Sequence, residues 1–186
     1  MKNLLFTISF LIVFSTAFAQ KVNVPKNYIL NTKDDFNKYQ NQATECMNWL
    51  DNNKFDEYVD IRQDTYKFVA TWITANQNLE LIYLSVIYND ILADKHPFTD
   101  ELLMAYFTGM AKFTISNPKK ENIKAQIAGI DNLLKVANNN SHLKFKSKAV
   151  AKYSKMKNSN QLETWLNNET GSQSKDLQSM NLWFMK

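Results

Sequence analysis

The sequence predicts an all-α fold, a single-domain bundle of six or seven helices joined by short loops. Apolar residues recur at helical spacing over several long stretches. Only three glycines and three prolines occur in 186 residues, whereas strand-rich domains use turn residues about every ten positions. The breaks that do occur, His96-Pro97, Asn117-Pro118 and the asparagines at 138–140, fall between the periodic stretches.

The N-terminus carries a second signal. Lys2 precedes a near-continuous apolar run from Leu4 to Phe14, and Ala17 and Ala19 form a small-x-small cleavage site before Gln20. Residues 1–19 therefore read as a cleaved secretory signal peptide, with an apolar run short for a bilayer span. The expectation is a soluble chain exported to the periplasm or secreted, with no transmembrane segment after cleavage. Removing residues 1–19 from 186 leaves 167, about one ordinary domain. Loss of Lys2 reduces 22 basic residues to 21 against 18 acidic ones, a balance of +3. That is too mild to point to nucleic acid. The sole cysteine, Cys46, forms no internal disulfide and lies too far from the cleavage site to anchor a lipid. On the apolar side of a helix it reads as a buried small hydrophobe.

Residues 20–32 form an extended lead-in, because Val22, Val24 and Pro25 oppose helix, and Tyr28, Ile29 and Leu30 are placed to dock on the core. The helical domain spans 33–168. The first helix runs from Asp34 to Asp51, with Thr32 as N-cap and Asp34 and Asp35 in its first turn. The second runs from Phe55 to Ala75, with Tyr58, Val59, Arg62, Tyr66, Val69, Trp72 and Ile73 on one face. The third runs from Gln77 to Asp94, although residues 79–84 read equally as a strand.

Thr99 caps a fourth helix that ends near Ile115. Asn117-Pro118 starts a fifth, proline being suited to the first helical position. There Ile123, Ile127, Ile130, Leu134 and Ala137 make an apolar seam. A lysine-rich sixth helix covers Leu143 to Lys157, and a seventh, capped by Ser159, covers Gln161 to Asn168. Residues 169–186 form a flexible tail with an apolar end, from Leu177 to Met185, that either docks on the domain or meets a partner.

Gly109 and Gly129 lie within the fourth and fifth helices, where glycine costs about 1 kcal/mol relative to alanine. Ala105 and Ala125 each precede a glycine by four residues. These small strips predict close packing of the two helices as a tight hairpin. Arg62, the one arginine, sits in an apolar stripe. A structural ion pair accounts for it, and an anion-holding role in a cleft is the functional alternative. Asp90, Asp94, His96, Asp100 and Glu101 are the densest set of metal-ligand types, but lack the spacing of a calcium loop or zinc motif, so no metal is expected. From Asn132 to Leu162 there is no acid. Lys144, Lys148, Lys152 and Lys155 fall in one stripe at 100° per residue, a candidate contact for an anionic surface.

No catalytic triad, nucleophile elbow or glycine-rich phosphate loop occurs, and no cofactor is implied. Several segments, namely Trp49-Leu50, the run from Phe68 to Asn76, Glu101 through Ile115 and Ile127-Ala128-Gly129-Ile130, resemble small exported helical proteins of unassigned function from Bacteroidota-type bacteria. The resemblance spans most of the mature chain and implies no activity and no site residues. The functional expectation is a non-enzymatic binding or protein-interaction module, whose partner is an exported or outer-surface protein. Two alternatives stand beside it. One is a carboxylate-based hydrolase on a helical scaffold. The other is a peripheral protein binding anionic surfaces through the lysine stripe and apolar tail.

Overall fold

Thr32 opens the first helix as its sequence requires. In the computed structural model, which describes residues 22–117, 119 and 121–172, the Thr32 hydroxyl accepts the Asp35 N–H and the Asp35 carboxylate accepts the Thr32 N–H at 2.9 Å. This reciprocal capping box satisfies donors that the first turn cannot. It starts α1 (Lys33–Asn52), followed by α2 (Val59–Ala75), α3 (Ser85–Ala93), α4 (Thr99–Ser116) and α5 (Asn122–Asn139). A short 3-10 turn (Ser141–Leu143), α6 (Lys148–Asn158) and α7 (Leu162–Ser172) complete an all-helical bundle. Residues 1–19, expected to be a signal peptide, and the apolar end of the expected tail lie outside the described residues.

α4 is the centre. Every residue from Leu102 to Ala111 is buried, the signature of a helix covered on all sides. α5 lies antiparallel along it, α1 and α2 pack beside it, and α3 contacts it before reaching α6. One core joins residues of α1 through α7, from Phe36 and Cys46 to Tyr153 and Leu166. Cys46 is fully buried, and burial pushes its thiol up to about 12, so it packs as a hydrophobe without a thiolate at neutral pH.

The predicted hairpin of α4 and α5 is present, and the glycines make its closest approach. A Cβ on Gly109 would lie 2.6 Å from the Ala128 carbonyl oxygen, 2.7 Å from the Asn132 Cβ and 2.9 Å from the Gly129 Cα. One on Gly129 would meet the Tyr106 ring at 2.7 Å and Met110 Cγ at 2.8 Å. The alanines sit to either side of this crossing. The Ala105 carbonyl accepts from Asn132 Nδ2 at 2.7 Å, while Ala125 lines a cleft with Met110 and Phe113.

Several element boundaries differ from the sequence expectation. α2 starts at Val59, because the Phe55 N–H is taken by the Asn140 side chain at 2.7 Å and Tyr58 adopts a left-handed φ of 53°. Tyr58 and Val59 therefore stand exposed, outside the buried face formed by Arg62, Thr65, Phe68, Val69, Trp72 and Ile73. α3 starts at Ser85, not Gln77. Leu79, Leu81 and Tyr83 are buried and alternate with Glu80 and Ile82, the period of extended chain. Thr99 is the first helical residue of α4 rather than its cap, since its hydroxyl bonds back to His96 O at 2.9 Å.

α5 begins at Asn122, later than expected, and Pro118 lies outside the described residues. Its buried face centres on Gln126, Gly129, Leu133 and Val136, leaving Ile123, Ile127 and Leu134 partly buried on the flank. Ser159 caps the end of α6, where its hydroxyl donates to Lys155 O at 3.0 Å, and does not start α7. α7 continues to Ser172, so residues 169–172 are helical rather than tail. Of the lead-in, Tyr28 and Leu30 dock, with Tyr28 edge-on to Phe68 at 4.9 Å, and Ile29 is exposed.

The backbone contact at the glycines predicts that Gly109→Ala and Gly129→Ala are each destabilised by about 1–3 kcal/mol, overpacking outweighing the gain in helix propensity. Denaturant unfolding of the two variants checks this. A rise in stability for both would remove the close-contact account of the hairpin.

Candidate functional site

A groove of about 650 Å³ lies between the C-terminal half of α5 and α6. Leu134 and Ala137 of α5 form one wall, Val150 and Ala151 of α6 the other, and Phe145 closes one side. Lys146 and Lys148 are exposed at its rim. No acid lines this groove among the described residues.

Local interactions explain its shape. Asn140, fully buried, ends α5 and anchors the α1–α2 loop through Phe55 N–H while its Nδ2 donates to Val136 O at 2.9 Å. Lys144 turns the chain with a φ of 51°. Phe145 then packs on His96 at 4.9 Å and on Phe98 at 5.6 Å between ring centres. The Asp94 carboxylate accepts the Lys148 N–H at 2.8 Å, the Ala149 N–H at 3.2 Å and the Ser147 hydroxyl. A carboxylate at a helix N-terminus satisfies orphan donors and opposes the positive end of the dipole. One turn earlier, Asp90 accepts from Lys152 Nζ at 2.6 Å and from the Tyr153 hydroxyl at 2.5 Å. Burial, with the Asp90 contact second, pushes the Tyr153 phenol up and keeps it a neutral donor. Thus α3 clamps α6 through two carboxylates.

This clamp separates the four lysines of the expected stripe. Lys144 is off the helix, because α6 begins only at Lys148. Lys152 is neutralised by Asp90 and lies 4.7 Å from the Trp165 ring centre. Lys148 and Lys155 remain exposed and pair with no acid among the described residues. Lys146, which the helical stripe omitted, lines the groove with Lys148. The extended backbone at 144–147 brings it there, and no periodicity signals that. The acidic set does not converge either. Asp90 and Asp94 hold α6, and no group of three possible metal ligands occurs among the described residues.

Arg62 is structural. Only 4 % exposed, it sends its guanidinium to the carbonyls that end α1: Leu50 O at 3.4 Å, Asn53 O at 2.5 Å and Lys54 O at 3.0 Å. A cation there complements the helix dipole. Its Nη1 meets Glu101, in the first turn of α4, at 3.2 Å. Trp49 and Phe55 flank it, with ring centres 5.7 and 5.5 Å from Cζ. One side chain therefore joins the end of α1, the face of α2 and the start of α4. Burial raises the Glu101 pKa, and the Arg62 charge opposes that rise.

A second depression, a cleft of about 310 Å³, lies among the ends of α2, α4 and α5. Among the described residues no helix is long and apolar enough to cross a membrane. Comparison with protein-family models, curated proteins and solved structures finds no match to this chain.

Replacing Arg62 by Met strands Glu101 in a buried setting without its cation and should cost about 3–5 kcal/mol at neutral pH. Glu101 then binds its proton more tightly in the folded state. The penalty should accordingly grow as pH rises through the Glu101 titration and shrink at acid pH, where the carboxyl is neutral in both proteins. Urea unfolding across pH 4–8 reads this. A penalty independent of pH would contradict the pairing.

Proposed function

We propose that this chain is an exported, non-enzymatic interaction module that works in the periplasm or outside the cell, and that it takes an acidic, amphipathic peptide segment of a partner protein in the α5–α6 groove. The observation that carries this reading is the groove itself: apolar walls from Leu134, Ala137, Val150 and Ala151 beside Lys146 and Lys148, which pair with no acid among the described residues. An apolar trough beside a cationic rim suits a ligand with apolar side chains on one face and carboxylates on the other. The signal-like segment at residues 1–19 supports export.

A hydrolase built on two carboxylates needs them to converge on one cleft. The acids lining the 310 Å³ cleft are Glu80 and Glu121, and Glu121 is paired with Lys124 at 2.8 Å. The groove offers shape and positive charge instead.

Selection of a displayed random-peptide library against the mature chain tests the reading. Enriched peptides should combine apolar residues with Asp or Glu. Their affinity should fall about tenfold in the doubly substituted Lys146→Glu, Lys148→Glu protein. Enrichment without acidic bias, or equal binding by the charge-reversed protein, would overturn it.

A further inference from the structure

The cleft of about 310 Å³ is built differently from the groove, and its chemistry points to another ligand. Three helix ends meet there: the C-terminus of α2 at Asn76, that of α4 at Asn117 and the N-terminus of α5 at Asn122. Half-buried Phe113, Ile115 and Ile82 give it an apolar floor, while Trp72 and Met110 are buried against it. α1 contributes Gln40 and the loop after α2 contributes Asn78.

Five side-chain amides therefore surround one apolar floor, and only part of their hydrogen-bonding capacity is used. Asn76 Oδ1 accepts the Asn78 N–H at 3.0 Å. Asn117 Nδ2 donates to Phe113 O at 2.9 Å. Asn78 Nδ2 reaches Lys33 O at 3.4 Å. Among the described residues this leaves the Asn76 amide N–H groups, the Asn78 and Asn117 carbonyl oxygens, and both ends of Gln40 and Asn122 without a protein partner.

Electrostatics select against an ion. The amides are neutral, and the charged side chains of the lining bring both signs, Glu80 and Glu121 against Lys119. The positive end of α5, whose cap Glu121 makes no side-chain capping bond, faces the negative ends of α2 and α4. Glu121 is itself paired with Lys124. A site with balanced dipoles, mixed donors and acceptors and an apolar floor suits a neutral molecule whose every polar group both donates and accepts. Hydroxyls do so, and a sugar ring adds an apolar C–H face for the floor. The volume lies at the small end for ligand sites, which limits the occupant to one or two rings.

We propose that this cleft binds a short neutral saccharide, held by the amides of Gln40, Asn76, Asn78 and Asn122 above Phe113 and Ile115. The assignment is independent of the peptide groove. It is tested by saturation-transfer NMR on the mature chain with maltose, cellobiose and N,N′-diacetylchitobiose at millimolar concentration. Glucose 6-phosphate, glucuronate and a neutral dipeptide amide serve as comparison probes. Transfer is expected to at least one neutral disaccharide and to be weaker for the comparison probes. Binding should fall at least about tenfold in Gln40→Leu, Asn122→Ala, and persist in Lys146→Glu, Lys148→Glu. In the unsubstituted protein the side-chain amide resonances of Gln40 and Asn122 should shift on titration, a readout that does not depend on the variant folding. No transfer from any of the three disaccharides, a preference for the charged sugars or the dipeptide, or unmoved Gln40 and Asn122 amide resonances would overturn the proposal.

Discussion

Gly109 and Gly129 allow the backbones of α4 and α5 to touch, and the other helices are arranged around that contact. Two helices carrying larger side chains at their crossing pack 8–10 Å apart. Without a Cβ at the crossing they come closer, and the side chains beside it reach across. Tyr106 extends over α5, where its hydroxyl donates to the Gln126 side-chain oxygen, and Gln126 Nε2 donates onward to Ile82 O. Asn132 returns from α5 to α4, bonding Ala105 O and the Thr108 hydroxyl. The helix-propensity cost of two glycines is of order 2 kcal/mol, and the packing they permit offsets it.

The polar residues of the interior act as ties from this axis to the outer helices. Thr108 donates a hydrogen bond from its hydroxyl to Asp51 of α1, which Lys112 also meets. Arg62 fixes the end of α1 and the start of α4, and Asn140 fixes the α1–α2 loop to the end of α5. Asp90 and Asp94 clamp α6 to α3. Hydrophobic burial supplies the driving force but little direction. These bonds, expensive to leave unmade in a dry interior, select one arrangement of helices that burial alone would leave open. The groove between α5 and α6 is a consequence of that arrangement, because the α3 clamp fixes α6 by its other face.

The sequence was informative where a local rule governs the outcome. Thr32 reads as an N-cap with Asp35 in the first turn, which the structure joins as a capping box, and the two mid-helix glycines announce a close approach. The all-helical architecture and the α4–α5 hairpin follow from such rules. It was uninformative where a distant partner decides. Nothing near Phe55 announces that Asn140, 85 residues away, takes its N–H and delays α2. Nothing in 79–84 selects extended chain over helix until Gln126 claims Ile82 O. The lysine stripe failed for the same reason, since Asp94 sets the start of α6 and Asp90 removes Lys152 from the free set. Lys146 and the amides of the cleft come together only through tertiary folding.

The central claim is that α4 and the facing surface of α5 form the most stable unit, with α3, α6 and α7 secured to it by fewer contacts and by individual polar ties. Native-state hydrogen exchange measures this directly. Amides from Leu103 to Met110 and from Gly129 to Val136 should exchange slowest, at the free energy of global unfolding, with α6 and α7 opening at lower free energies. Slowest exchange in α6 or α7, or rapid exchange through the middle of α4, would contradict it.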